Sequence, residues 1–267
     1  MRKRVRFLLL ASLVLSVFAG AMFRIALDKF LFCCCERNLL LGRCSHRRVP
    51  RDERHPRVTV LFVGDSIIEG YPFAALFPAR FRTVNRGLGS DDVRNIGERC
   101  IEEFNECSSD AVVFEGGIND ILGYAAHDQD KERTLAMITG AVEKVLREAQ
   151  RRNVPMLVAS ILPVTRRFLL PYARAVPLPS HFDVAKANGL VREANARLHD
   201  LCQQYGATYV DLHGRVVADT GEFDRAFAAA DGYHVNVFGY SRLTPVLVRH
   251  IESVLEARQA DSRAPRE

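Results

Sequence analysis

No C-x-x-C pair occurs among the seven cysteines of this 267-residue chain, so the commonest zinc-binding spacing is missing. Five of the eight histidines, His127, His181, His199, His213 and His250, are scattered without ligand spacing, and they read as structural or solvent-facing. A metal site is therefore not expected. Gly87 and Gly89 are not followed by a third glycine, since Asp92 stands in its place, and this excludes a dinucleotide fingerprint. No cofactor is expected. The G-x-S-x-G elbow is also missing, because Gly64-Asp65-Ser66 continues into Ile67-Ile68. Tryptophan is absent, and no tandem repeat or low-complexity tract suggests a solenoid or a disordered chain.

A basic folded surface is lacking too. Residues 1–57 hold 13 Lys/Arg against 4 Asp/Glu, whereas residues 58–267 hold 24 against 28. A nucleic-acid-binding domain would carry its positive charge on the folded body, so no nucleic acid is expected as partner. The positive charge belongs instead to a leader. Arg2, Lys3, Arg4 and Arg6 precede Phe7 to Phe23, a run of 17 residues without a charge. One charged side chain at mid-bilayer costs roughly 2.5–3.5 kcal/mol, so an uncharged run of this kind marks a membrane segment. Residues 1–24 read as an N-terminal hydrophobic helix that anchors the chain. Ala19-Gly20-Ala21 offers the alternative of a signal peptide cleaved near Ala21, giving a secreted protein. Either way everything after Arg24 is expected on the non-cytoplasmic side. Residues 25–56 form a juxtamembrane segment with Cys33, Cys34, Cys35 and Cys44, then a basic tether containing Pro50 and Pro56.

From residue 57 onward, strand and helix patterns alternate. Val58–Gly64, Phe81–Arg86, Ala111–Phe114, Val154–Leu162 and Ala207–Leu212 read as strands. Helical patterns cover a stretch ending at Cys107, then Lys131–Arg152, Asp183–Tyr205 and Phe238–Arg258, with a polar tail over 259–267. Alternation of this kind demands a parallel sheet with right-handed crossovers and helices on both faces. Residues 57–258 are thus expected to form one α/β domain. In such sheets, ligands bind beyond the carboxyl ends of the strands.

Four segments converge on that rim: Gly64-Asp65-Ser66, Asn85-Arg86-Gly87-Leu88-Gly89-Ser90, Gly116-Gly117-Ile118-Asn119-Asp120 and Asp231-Gly232-Tyr233-His234. Together they hold the parts of an acyl-transfer site. A serine hydroxyl needs a base to take its proton, and histidine suits that task. The histidine needs a carboxylate to fix its tautomer, and an aspartate three residues earlier on a turn can reach it. The oxyanion needs fixed donors, which main-chain N–H groups and a side-chain amide supply. Each element alone has a plainer reading: Ser66 as a helix cap, Asn119 and Asp120 as a cap and turn, His234 as a packing residue. Asp65 and Asp91 read as local hydrogen-bonding residues.

In this order and at these strand ends, the four segments resemble the SGNH hydrolases, also called the GDSL esterase and lipase family. The resemblance covers about residues 57–257. It implies a three-layer α/β/α flavodoxin-like fold with about five parallel strands. It also implies Ser66 as nucleophile, His234 as base, Asp231 as its orienter and Asn119 as an oxyanion donor. Where many members carry the oxyanion glycine, this chain has Ser90, with Gly89 just before it, so either residue can supply the main-chain N–H. The implied substrate is a small acyl ester of a lipid or an acylated sugar. A membrane-associated O-acyltransferase and a catalytically idle binding domain remain as alternatives. An insertion, Pro163–His181, springs from the same rim and reads as a wall or lid of the pocket.

Overall fold

The computed structural model describes residues 58–127, 129–166 and 182–263. The order of elements is β1 (Val58–Gly64), α1 (Ser66–Glu69), α2 (Phe73–Leu76), β2 (Phe81–Gly87), α3 (Val93–Glu106), β3 (Ala111–Phe114) and α4 (Ile118–His127). Then follow α5 (Lys131–Arg151), β4 (Met156–Ala159), α6 (Val184–Tyr205), β5 (Thr208–Val210), α7 (His213–Val216) and α8 (Val237–Arg263). The five strands form one sheet in the order β2-β1-β3-β4-β5, and every pairing is parallel. Helices α3, α5 and α6 pack side by side on one face, while α8 lies with α2 on the other. This is the α/β/α arrangement that right-handed crossovers dictate for this strand order.

Burial explains why the strands read as apolar runs. Val60, Leu61, Phe62 and Val63 of β1 and Ala111, Val112 and Val113 of β3 are fully enclosed, because both sheet faces are covered. Each large side chain so enclosed contributes roughly 1.5–3 kcal/mol of transfer free energy. Helix α5 shows the matching pattern at helical spacing, burying Leu135, Ile138, Val142, Val145, Leu146 and Ala149. Asp130 caps it by accepting the Arg133 N–H at 2.6 Å.

Three elements depart from the sequence expectation by more than one residue at an end. β4 is Met156–Ala159 rather than 154–162. Val154 donates its N–H back to Ala149 at the end of α5, which removes it from the ladder. Beyond Ala159 the chain stays buried, but side chains replace the neighbouring strand. Asn195 pairs with both backbone groups of Ile161, and Asn188 with both of Val164, at 2.8–2.9 Å. β5 shortens to Thr208–Val210, since the Ala207 N–H closes on Cys202 and the Leu212 N–H goes to Ser160 Oγ and the Val210 carbonyl. Helix α8 runs to Arg263, past the expected end at Arg258, because neither proline nor glycine lies between Arg258 and Pro265.

The N-terminal segments 1–24 and 25–56, the Cys33–Cys35 run, Cys44 and most of the Pro163–His181 insertion lie outside the described residues. Among the described residues no helix is long and apolar enough to cross a membrane.

Candidate active site

Ser66 opens α1 directly after β1. Its place is fixed by its neighbours rather than by its own side chain. Asp65 caps the turn, accepting the Ile67 N–H on Oδ1 at 2.9 Å. From α8, the Tyr240 hydroxyl donates to the Ile67 carbonyl at 2.8 Å, and Tyr71 Oη pairs with Thr244 Oγ1 at 2.8 Å. The last helix thus clamps the turn that presents Ser66.

The loop before α8 brings in the histidine. Asp231 Oδ1 accepts the main-chain N–H groups of Tyr233 and His234, at 3.1 and 3.0 Å, and Oδ2 pairs with His234 Nδ1 at 2.7 Å. The second ring nitrogen, Nε2, lies 2.8 Å from Ser66 Oγ. With Nδ1–H donated to the carboxylate, Nε2 is left as an acceptor for the hydroxyl proton. Burial alone would raise the Asp231 pKa. The hydrogen bond and charge of His234, with the two main-chain N–H donors, outweigh burial and hold it below the ordinary carboxylate value. Gly232, at φ +91°, makes this loop possible: a Cβ there would sit 2.1 Å from the Thr165 carbonyl oxygen.

Asn119 stands at the start of α4, past the end of β3, which adjoins β1. Its Nδ2 donates to the Asp91 carbonyl at 2.9 Å, a bond that leaves the amide a second hydrogen. Asp120, beside it, caps α3 by accepting the Val93 N–H at 3.0 Å, and burial pushes its carboxyl up to about 6. Asp91 has the local role expected of it, pairing with Arg99, whose other nitrogens reach the carbonyls of Arg86 and Gly64. Ser90 is exposed and adopts φ +67°, while Gly89 is half-buried against α1. An L-residue in this left-handed region costs on the order of 1 kcal/mol relative to glycine. Ser90→Gly should therefore raise stability by about 0.5–1 kcal/mol, a shift of a few degrees in Tm by thermal unfolding. An unchanged or lower Tm would contradict the strain assigned to Ser90.

Glu115 escaped the sequence reading, although a carboxylate ending an apolar strand was a legible signal. It lies fully buried beneath the nucleophile turn, facing Asp65. Neither Asp65 Oδ2 nor either Glu115 oxygen meets another donor among the described residues. Two buried carboxyl groups so placed disfavour being ionised together. Burial pushes Asp65 up to about 6 and Glu115 well above its ordinary range. Both native values lie above the unfolded ones, so folding takes up protons and stability falls as pH rises from about 4.5 through the raised values. Glu115→Gln supplies a permanent donor to Asp65. Between pH 4.5 and 8 the variant should lose about 1–3 kcal/mol less stability than the parent, by urea unfolding. Parallel stability curves would refute the raised pKa values of the pair.

His181 lies outside the described residues, and three of the other histidines stand apart from this cluster. His213, His199 and His250 line a cleft of about 740 Å³ beyond edge strand β5, with Arg192, Tyr209 and Asp211. The main-chain N–H of His213 is held by Ser160 Oγ at 2.7 Å. Cys100, Cys107 and Cys202 are buried free thiols whose pKa values burial raises, which disfavours them as nucleophiles. Among the described residues no cluster of His, Cys, Asp or Glu could hold a metal ion.

The sequence pattern of the GDSL-like lipase/acylhydrolase family matches residues 62–242, from β1 into the start of α8. The chain belongs to this family. With the family comes its reaction class, the hydrolysis of carboxylic esters. Solved structures share the fold. A GDSL-like lipase from Bacteroides thetaiotaomicron is 18% identical over 83% of this chain and 98% of its own, with a TM-score of 0.61. A lipase/acylhydrolase from Enterococcus faecalis is 21% identical over 73% and 95%, with a TM-score of 0.53. An acetyl xylan esterase is 15% identical over 72% and 99%, with a TM-score of 0.55. At these identities the likeness is one of fold. No curated protein matches the chain.

Proposed function

We propose that this GDSL-family enzyme hydrolyses a carboxylic ester of a lipid or a glycan through an acyl-enzyme on Ser66. The observation that carries the reading is the chain of contacts from Ser66 Oγ to His234 Nε2 at 2.8 Å and from His234 Nδ1 to Asp231 at 2.7 Å. As Ser66 Oγ bonds to the acyl carbon, its proton passes to His234 Nε2, and the imidazolium is stabilised by Asp231. The carbonyl oxygen becomes an oxyanion, met by the Asn119 amide and by main-chain N–H groups of Ser66 and of Gly89 or Ser90. The intermediate collapses, and the leaving alkoxide takes the proton from His234. Water then attacks the acyl-enzyme, His234 accepts its proton, and the proton returns to Ser66 Oγ as the carboxylic acid departs.

The substrate pocket would be walled by the Pro163–His181 insertion. Its first residues support this placement, because the Thr165 N–H donates to the Gly232 carbonyl at 2.8 Å, inside the histidine loop. The residues that follow (Arg166, Arg167, Phe168, Leu169, Leu170) mix cationic and apolar character, which suits an acyl chain or an anionic glycan. One solved relative in fold bears the name acetyl xylan esterase, consistent with a short acyl group on a sugar. Residues 7–23 would hold the enzyme at a membrane, with the catalytic domain on the non-cytoplasmic side. Recovery of the full-length chain in the soluble fraction of cells would overturn that placement.

Turnover of p-nitrophenyl esters of increasing chain length tests the reaction and measures the acyl pocket together. Saturable hydrolysis with a preferred chain length is the expected result. Ser66 acylated without release of acid would point to acyl transfer instead. Failure of any ester to acylate Ser66 would mark an idle binding domain.

A further inference from the structure

The second loop, Leu88 to Asp91, approaches the nucleophile at Gly89 and has four consecutive main-chain N–H groups, of which the structure accounts for three. The Leu88 N–H goes to the Gly64 carbonyl at 3.0 Å, and the Asp91 N–H turns back to the Leu88 carbonyl at 3.4 Å. The Gly89 N–H goes to the side chain of Glu69, donating to Oε2 at 3.1 Å. Only the Ser90 N–H meets no acceptor among the described residues. Ser90 is exposed, so its main-chain donor is open to an incoming acceptor.

Glu69 lies one turn beyond Ser66 on α1, so its carboxylate reaches out from the nucleophile's own helix to the loop. The approach is close. A Cβ on Gly89 would lie 2.7 Å from Glu69 Oε2 and 3.8 Å from Ser66 Cβ, so the glycine fits against both. Asn85 ties the same two segments from below, donating to the Ile68 and Glu69 carbonyls at 2.9 and 3.3 Å. From the other side, Asn119 holds the Asp91 carbonyl. The left-handed turn at Ser90 follows directly on the clamped Gly89.

We propose that Glu69 is a positioning residue: it occupies the Gly89 N–H and fixes the loop so that the Ser90 N–H serves as the oxyanion donor. The inference rests on Ser66 being the nucleophile. It assigns to the carboxylate an effect on the transition state alone, since the ground-state ester carbonyl needs the donor far less than the oxyanion does. It also explains how a serine serves at a position where glycine is common, because the role uses the main chain and the hydroxyl is free to face solvent.

Kinetics of Glu69→Ala and Glu69→Gln with a p-nitrophenyl ester, beside Ser66→Ala, test this. Glu69→Ala should lower kcat tenfold to a hundredfold with KM within about twofold, below the roughly 10²–10³ seen when an oxyanion donor is deleted outright. Glu69→Gln keeps an acceptor oxygen and should stay within about threefold of the parent. Wild-type kcat in Glu69→Ala with an inactive Ser66→Ala would overturn the role of Glu69 alone. Equal damage from Glu69→Gln would overturn the acceptor role by pointing to the charge. Activity retained in Ser66→Ala would instead overturn the nucleophile. Should Glu69→Ala fail to fold, amide NMR of the parent decides: a phosphonate adduct on Ser66 should shift the Ser90 N–H and spare Gly89. A shift confined to Gly89 would overturn the proposal.

Discussion

Ser66→Ala is expected to lower kcat by about 10⁶-fold and to abolish labelling by a fluorophosphonate probe, while the protein still folds. The size follows from the way a nucleophile and its base act as one unit, so that losing either forfeits nearly the whole covalent route. Survival of the fold follows from the local hydrogen bonds. The cap of α1 comes from Asp65, not from Ser66, and the turn is clamped by Tyr240 through the Ile67 carbonyl. The hydrogen bond that the serine hydroxyl loses is the one to His234, which is half-buried and can turn to water. Thermal unfolding should therefore place the variant within a few degrees of the parent. Wild-type turnover in a folded Ser66→Ala protein would remove Ser66 from the mechanism. A collapsed Tm would show that its side chain is structural.

What the sequence could say about this site depended on chain distance. Strand ends were legible because β1 and β3 are buried on both faces, so their apolar runs stop where the rim begins. The 231–234 segment was legible because its internal spacing lets one carboxylate serve both turn and ring. Glu69 and Arg99 were not legible, since their partners lie 20 and up to 35 residues away and depend on how α1 packs against β2 and α3 against β1. The short helices α1, α2, α4 and α7 were missed for a related reason. Four-residue turns carry no period, and α4 follows its glycines without a break in the motif. The substitution of Asn188 and Asn195 for strand partners beyond β4 is likewise a tertiary event, and an apolar run gives no notice of it.

The histidine loop should respond to substitution in a graded way. His234→Ala removes the base and is expected to cost about as much as Ser66→Ala. Asp231→Asn is the more informative change, because the carboxylate holds two jobs on separate oxygens. Oδ1 organises the turn through the Tyr233 and His234 N–H groups, and an asparagine oxygen can keep those bonds. Oδ2 faces His234 Nδ1, where the asparagine NH₂ would become a donor. The ring must then accept at Nδ1 and carry its proton on Nε2, pointed at Ser66, so it cannot take the hydroxyl proton. The expected result is a folded protein with kcat down by about 10⁴-fold. Neutralisation by acid does not mimic this in the usual assay range, since the hydrogen bonds to Asp231 keep it ionised below the ordinary carboxylate value. His213→Ala, at the far edge of the sheet, should leave kcat unchanged. Near-normal kcat in Asp231→Asn would show that the carboxylate only shapes the turn. Loss of activity in His213→Ala with His234→Ala intact would move the base to the other end of the sheet.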